Sequence, residues 1–119
     1  MTTFLNPLEI VRGDDFDCTL TWTDSAGTAI NITGYTFYFT VKAAPDTDAT
    51  DAAAVISHSW TSHSSPTTGV THLTLTDTQT NVTPGTYWYD IQAKDGSANI
   101  STIALGQVTI LADITRRTT

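Results

Sequence analysis

Cysteine, methionine, glutamate and lysine are all scarce here: Cys18, Met1 and Glu9 stand alone, and Lys42 and Lys94 are the only lysines in 119 residues. Each scarcity excludes something. With Cys18 alone no intrachain disulfide can form, so stability must come from an apolar core. That fits folding in a reducing cytoplasm. Five bases against 12 acids leave a net charge of −7. Arg12, Lys42, Lys94, Arg116 and Arg117 are too few and too scattered to build the basic face that nucleic acid requires, so no nucleic-acid partner is expected. No apolar run approaches the roughly 18–20 residues of a membrane helix, so no membrane partner is expected either. The start, MTTFLNPLEIVRG, lacks a basic region, a long apolar stretch and a small-residue cleavage site, and is not read as a secretory signal. The acids are almost all Asp and Thr is abundant, a mix that disfavours helices and suits strands and turns.

What is present alternates with period two. Phe16, Cys18, Leu20 and Trp22 share one face, with Asp17, Thr19, Thr21 and Thr23 on the other. Phe37, Phe39 and Val41 share a face in the aromatic run YTFYFTVKA. Ile56, His58 and Trp60 oppose Val55, Ser57 and Ser59, and Leu73 and Leu75 lie together in VTHLTLT. In TYWYDIQAK, Tyr87, Tyr89, Ile91 and Ala93 face in while Trp88, Asp90, Gln92 and Lys94 face out. Lys94-Asp95-Gly96-Ser97 is a hairpin signal. The long last run, NISTIALGQVTILADI, is expected to carry a bulge at Gly106. A first edge strand, LEIVR, and an extended stretch at Ile30-Asn31-Ile32 complete the set. TDTQTNVTPG is a longer connection with room for one helical turn.

Seven to eight short strands with turns at regular spacing and no helical periodicity predict an all-β fold, an immunoglobulin-like antiparallel β-sandwich. A closed barrel is the alternative. One domain spans 1–119, with short polar arms at about 1–7 and 114–119. In such sandwiches a tyrosine near the start of the penultimate strand bonds back to the preceding turn, and the position two residues on is buried. Gly85, Tyr87 and Tyr89 have that spacing, and Trp22 or Trp60 can supply a core indole.

Several patterns suggest chemistry and each has a plainer reading. Arg12-Gly13-Asp14 matches an adhesion tripeptide, but a strand follows at once, so a corner between the first two strands is expected. Asp46, Asp48 and Asp51 could ligate calcium, yet the spacing lacks the Gly and distal Glu of a helix-loop-helix site, which favours a solvated acidic loop. His58 and His72 lie on strands that could be neighbours, with His63 in a loop, but zinc needs three or four close ligands and Cys18 belongs to another face. No nucleophile elbow, triad or phosphate-cradling loop is present. The chain is therefore read as non-enzymatic, with no cofactor and no metal.

Four segments taken in order, IVRGDDFDCTLTW, INITGYTFYFTVKA, GVTHLTLTDTQTNVTPGTYWYDIQAKD and LGQVTILADITRRT, resemble the immunoglobulin-like domains of tailed-phage virions. The resemblance is to the N-terminal domain of the phage baseplate upper protein family in particular. It rests on Gly13-Asp14, on Asn31-Ile32-Thr33-Gly34 ahead of an aromatic strand, on Gly85-Thr86-Tyr87-Trp88-Tyr89-Asp90-Ile91, on Gly106-Gln107-Val108-Thr109-Ile110 and on Asp113-Ile114-Thr115-Arg116. It implies a structural protein of the virion, made in the host cytoplasm, that docks in several copies onto other virion proteins, most naturally in the tail or baseplate. Members of that family continue into a receptor-binding segment, whereas this chain stops at Thr119, which widens the expectation to a capsid decoration (cement) protein. A sugar- or receptor-binding module is a further alternative, for which Trp88 or Tyr38 must line a concave site. Trp88, facing outward, suits an interface anchor. Arg12, Arg116 and Arg117 are further partner-contact candidates, while Tyr87, Gly85, Trp22 and Gly34 are expected to be structural.

Overall fold

A computed structural model describes residues 8–43 and 54–112. Asp46, Asp48, Asp51, Arg116, Arg117 and the two polar arms lie outside the described residues. The described chain is all-β apart from one 3-10 turn at Pro66–Thr68. Its strands are β1 (Leu8–Val11), β2 (Phe16–Thr21), β3 (Thr36–Lys42), β4 (Ala54–Trp60), β5 (Val70–Leu75), β6 (Gly85–Lys94) and β7 (Ile100–Leu111). Five form one sheet in the order β1-β7-β6-β3-β4, and β2 pairs with β5 as a separate ribbon.

The core lies between ribbon and sheet, built from the positions that the alternation selects. Leu20, Leu73 and Leu75 come from the ribbon; Phe37, Phe39, Val41, Ile91, Val108 and Ile110 come from the sheet. All are buried in one cluster. Polar atoms at the seam are bonded: Trp60 Nε1–H donates to Thr71 Oγ1 at 2.8 Å, tying β4 to β5. His63 bridges the same place, with Nε2 at 2.9 Å from the carbonyl of Tyr35 and Nδ1 at 2.9 Å from Thr71 Oγ1. A carbonyl can only accept, so Nε2 carries the proton. In the neutral ring Nδ1 then accepts from Thr71, which both donates and accepts.

Four expectations are corrected. The sheet is mixed, because β1 runs parallel to β7, with Leu8 opposite Val108 and Val11 opposite Leu111. Alternation fixes which face a residue takes and says nothing of strand direction. The barrel alternative fails among the described residues, where β1 and β4 are the two ends of the order and do not pair. Ile30-Asn31-Ile32 is not a strand: Asn31 Oδ1 accepts from the Thr33 amide at 3.0 Å and makes a local turn that Gly34 completes at φ 81°. Ile32, fully buried, plugs the core from this turn, its amide bonded to the carbonyl of Pro66. The bulge in β7 falls at Ile103, not Gly106. Ile91 faces Ala104 and Gln92 faces Thr102, leaving Ile103 as the extra residue. Gly106 lies against the Tyr89 ring, where an added Cβ would make an ordinary contact at 3.4 Å.

Gly69 is closely hemmed in by backbone. It has φ 74°, and an added Cβ would lie 2.5 Å from the Trp22 carbonyl oxygen and 2.8 Å from that of Ile30. Its own carbonyl accepts from the Trp22 amide at 3.0 Å. The loop before β5 is thereby locked under the segment after β2.

Candidate functional site

The residues on the other side of the same strands make a groove. On β3 the outward positions are Tyr38, Thr40 and Lys42; on β6 they are Trp88, Asp90, Gln92 and Lys94. Cross-strand pairing arranges them in rungs. Lys42 stands beside Trp88, Thr40 beside Asp90, Tyr38 beside Gln92 and Thr36 beside Lys94. From β7, Gln107, Leu105, Thr102 and Ile100 extend the same four rungs. The groove encloses about 440 Å³, within the usual size range of ligand sites.

Its lining is amphipathic. Leu105 and Ile100 are 44% and 61% exposed and Trp88 is 39% exposed. Leu111 is exposed on the same face, and Val55 is exposed at a bulge in edge strand β4. Soluble monomers seldom leave large apolar side chains grouped in this way without a use for them. The hydrogen-bonding side chains of Thr40 and Asp90 lie on the rung between Trp88 and Tyr38, and Gln92 stands beside Tyr38. Lys42 and Asp90 are also engaged within the fold.

The expected site residues fall as follows. Trp88 lines the groove, and Tyr38 lines it from the neighbouring strand. Arg12 lies apart from that lining, on the corner between β1 and β2. Its amide donates to the carbonyl of Leu111 at 2.9 Å, and the Thr80 hydroxyl donates to the carbonyl of Asp14 at 2.7 Å. With Gly13 at φ 81°, Arg12-Gly13-Asp14 forms a bonded turn between the sheet and the ribbon. Tyr87 donates its hydroxyl to the carbonyl of Thr83, at the end of the connection that Gly85 closes. Trp22 is buried edge-on to Tyr35, ring centroids 6.1 Å apart, and its indole N–H has no partner among the described residues.

The histidines do not converge. His58 lies on β4 in the sheet and His72 on β5 in the ribbon, and no group of three metal-ligating side chains occurs among the described residues. Burial pushes the His58 imidazole below its ordinary pKa. Burial, followed by the charge of Asp17, pushes the Cys18 thiol up. Burial, then the neighbouring Cys18, pushes the Tyr89 phenol up. Asp95 is exposed and held below its usual value by the amides of Asn99 and Ser97, which it caps in the β6–β7 turn.

Sequence reasoning named Trp88 and Tyr38 for a concave site but missed the other members of the groove, among them Ile100, Leu105 and Lys42. The signal was parity. Even-numbered residues of β7 face out before Ile103 and odd-numbered ones after it, so Ile100 and Leu105 share a face only once the bulge is placed. No helix among the described residues is long and apolar enough to cross a membrane. Compared with known proteins, the chain matches no family model, no curated protein and no solved structure.

Proposed function

We propose that this chain is a non-enzymatic binding module of a tailed-bacteriophage virion, an immunoglobulin-like sandwich that docks onto other virion proteins, in the tail or baseplate ahead of the capsid surface. The observation that carries the reading is the strand arrangement. A five-stranded sheet whose centre is β7-β6-β3 faces a β2-β5 ribbon, the layout of a variable-type immunoglobulin sheet over a reduced second sheet. The Tyr87 bond to Thr83 sits at the start of β6, where that fold places it. The segments that resemble phage virion domains run through these same strands in order.

Docking is assigned to edges and ends. β1, with Arg12 beside it, closes one side of the sheet and β4 the other. A strand edge can add to a neighbour's sheet. The ends carrying Arg116 and Arg117 supply charge for acidic neighbours. The partners are other virion proteins met in several copies, and the location is the virion. The test is to trace the chain in a cryo-electron microscopy map of the intact particle. Density at the tail or baseplate supports the reading; density over the capsid lattice makes it a decoration protein; absence from the particle sinks both.

A second reading is favoured by one specific feature. Trp88 and Tyr38 border a groove with polar groups between them, which is the arrangement a carbohydrate-binding module needs.

A further inference from the structure

The groove has a length, a direction and a charge. Trp88 pairs with Lys42, and Tyr38 stands four residues earlier on the same strand. The two aromatic positions are thus offset by about 13 Å along the strands. That suits a chain of sugar rings lying parallel to β3 and β6 better than a single ring. A pyranose has apolar C–H faces and a polar rim. Trp88 and Tyr38 can each take a face, while Thr40, on the rung between them, and Gln92, beside Tyr38, can bond the hydroxyls.

The charge is local. The only two lysines of a chain with net charge −7 both line this groove, Lys42 at the Trp88 end and Lys94 at the other. Asp90 is the one acid in the lining. Charges beyond roughly 8 Å are screened at physiological salt, so the field a ligand meets is set chiefly by Lys42, Lys94, Asp90 and Asp95, which adjoins Lys94, rather than by the net charge of the chain.

We propose that the groove between Trp88 and Tyr38 binds an acidic oligosaccharide, of the uronic or sialic acid type, laid along the strands with carboxylates toward Lys42 and Lys94. This rests on the carbohydrate reading above and not on virion docking. A module held by its edges would leave this face outward.

The test is an amide and indole NMR titration of the whole chain with tetragalacturonate and with a sialic acid tetramer, using neutral cellotetraose as control. Shifts are expected at the Trp88 indole N–H, the Gln92 amide group and the Tyr38 amide for at least one acidic probe. Affinity should fall at least about tenfold in Trp88→Ala and in Tyr38→Ala, and it should weaken as salt rises. Cellotetraose should bind at least about tenfold more weakly. Both side chains are on the surface, and an unchanged spectrum elsewhere shows that each variant is folded. Absence of shifts with both acidic probes overturns the proposal. So does equal binding of cellotetraose, or affinity unchanged by Trp88→Ala. Concentration-dependent self-association that perturbs the same residues would assign the face to a second copy instead. The titration needs no particle, so it can fail while the particle map succeeds, and the reverse.

Discussion

Strands β3, β6 and β7 present two faces of opposite character from one backbone. Inside, Phe37, Phe39, Val41, Ile91 and Val108 have no exposed surface. Outside, Tyr38, Thr40, Trp88, Asp90, Gln92 and Leu105 alternate with them and line the groove. Inner residues touch each other and can be replaced only at the cost of a cavity. Outer residues rest on the sheet and leave side-chain atoms unsatisfied by packing. Stability belongs to the inner face, and the binding proposed above is assigned to the outer one.

The sharpest way to break this comparison is to truncate one aromatic on each face. Phe39→Ala should destabilise by about 3–5 kcal/mol, the range for a buried phenylalanine. That is a large share of the roughly 5–15 kcal/mol available to a domain. Trp88→Ala should change unfolding free energy by no more than about 0.5 kcal/mol. Urea unfolding of both variants checks this. A Trp88→Ala variant as unstable as Phe39→Ala would mean that the outer face is part of the core, and the groove reading would lose its basis.

A smaller effect is expected at the seam. Thr71→Val keeps the shape but removes the hydroxyl that accepts from Trp60 and bonds His63. Two groups lose a partner, for an expected cost of about 1–3 kcal/mol. Thr19→Val, on the outer side of the same ribbon and bonded to the exposed His72, should cost much less. Equal losses in thermal unfolding would mean that the seam network is no better shielded from water than the surface.

The all-β class and the inner face were legible in the sequence because alternation reports burial directly. Phe37, Phe39, Val41, Leu73, Leu75, Tyr89 and Ile91 all lie where period two puts them. The Arg12-Gly13-Asp14 corner was legible too, since a glycine between two strand patterns marks a turn. The parallel β1–β7 pair was not, because nothing in LEIV encodes the direction of its neighbour. Nor was the groove, except for Trp88 and Tyr38. Its other apolar members depend on where a single extra residue, Ile103, is inserted into β7. Bulge position is set by the partner strand and by the core, which accepts both Ile103 and Ala104, and a lone strand carries no record of either.

The least effect is expected at His58, on the half-buried inner side of edge strand β4, between the two faces in exposure. It stacks on Trp60, ring centroids 5.5 Å apart, and its Nδ1 lies 3.2 Å from the Gln79 side-chain nitrogen. Burial lowers its pKa, so the unfolded chain takes up a proton more readily than the folded one. The associated stability is fully present above the unfolded value of about 6.5 and is lost as pH falls through the folded value. His58→Phe retains an aromatic ring for stacking and removes the titration. Urea unfolding at neutral pH and at pH near 5 should therefore show a smaller acid-side loss for the variant than for the native chain. The carboxylates are common to both proteins and cancel in the difference. An equal loss would mean that His58 is as well solvated folded as unfolded, and that the edge strand β4 opens freely. That opening would bear on docking, because β4 is one of the two edges assigned to it.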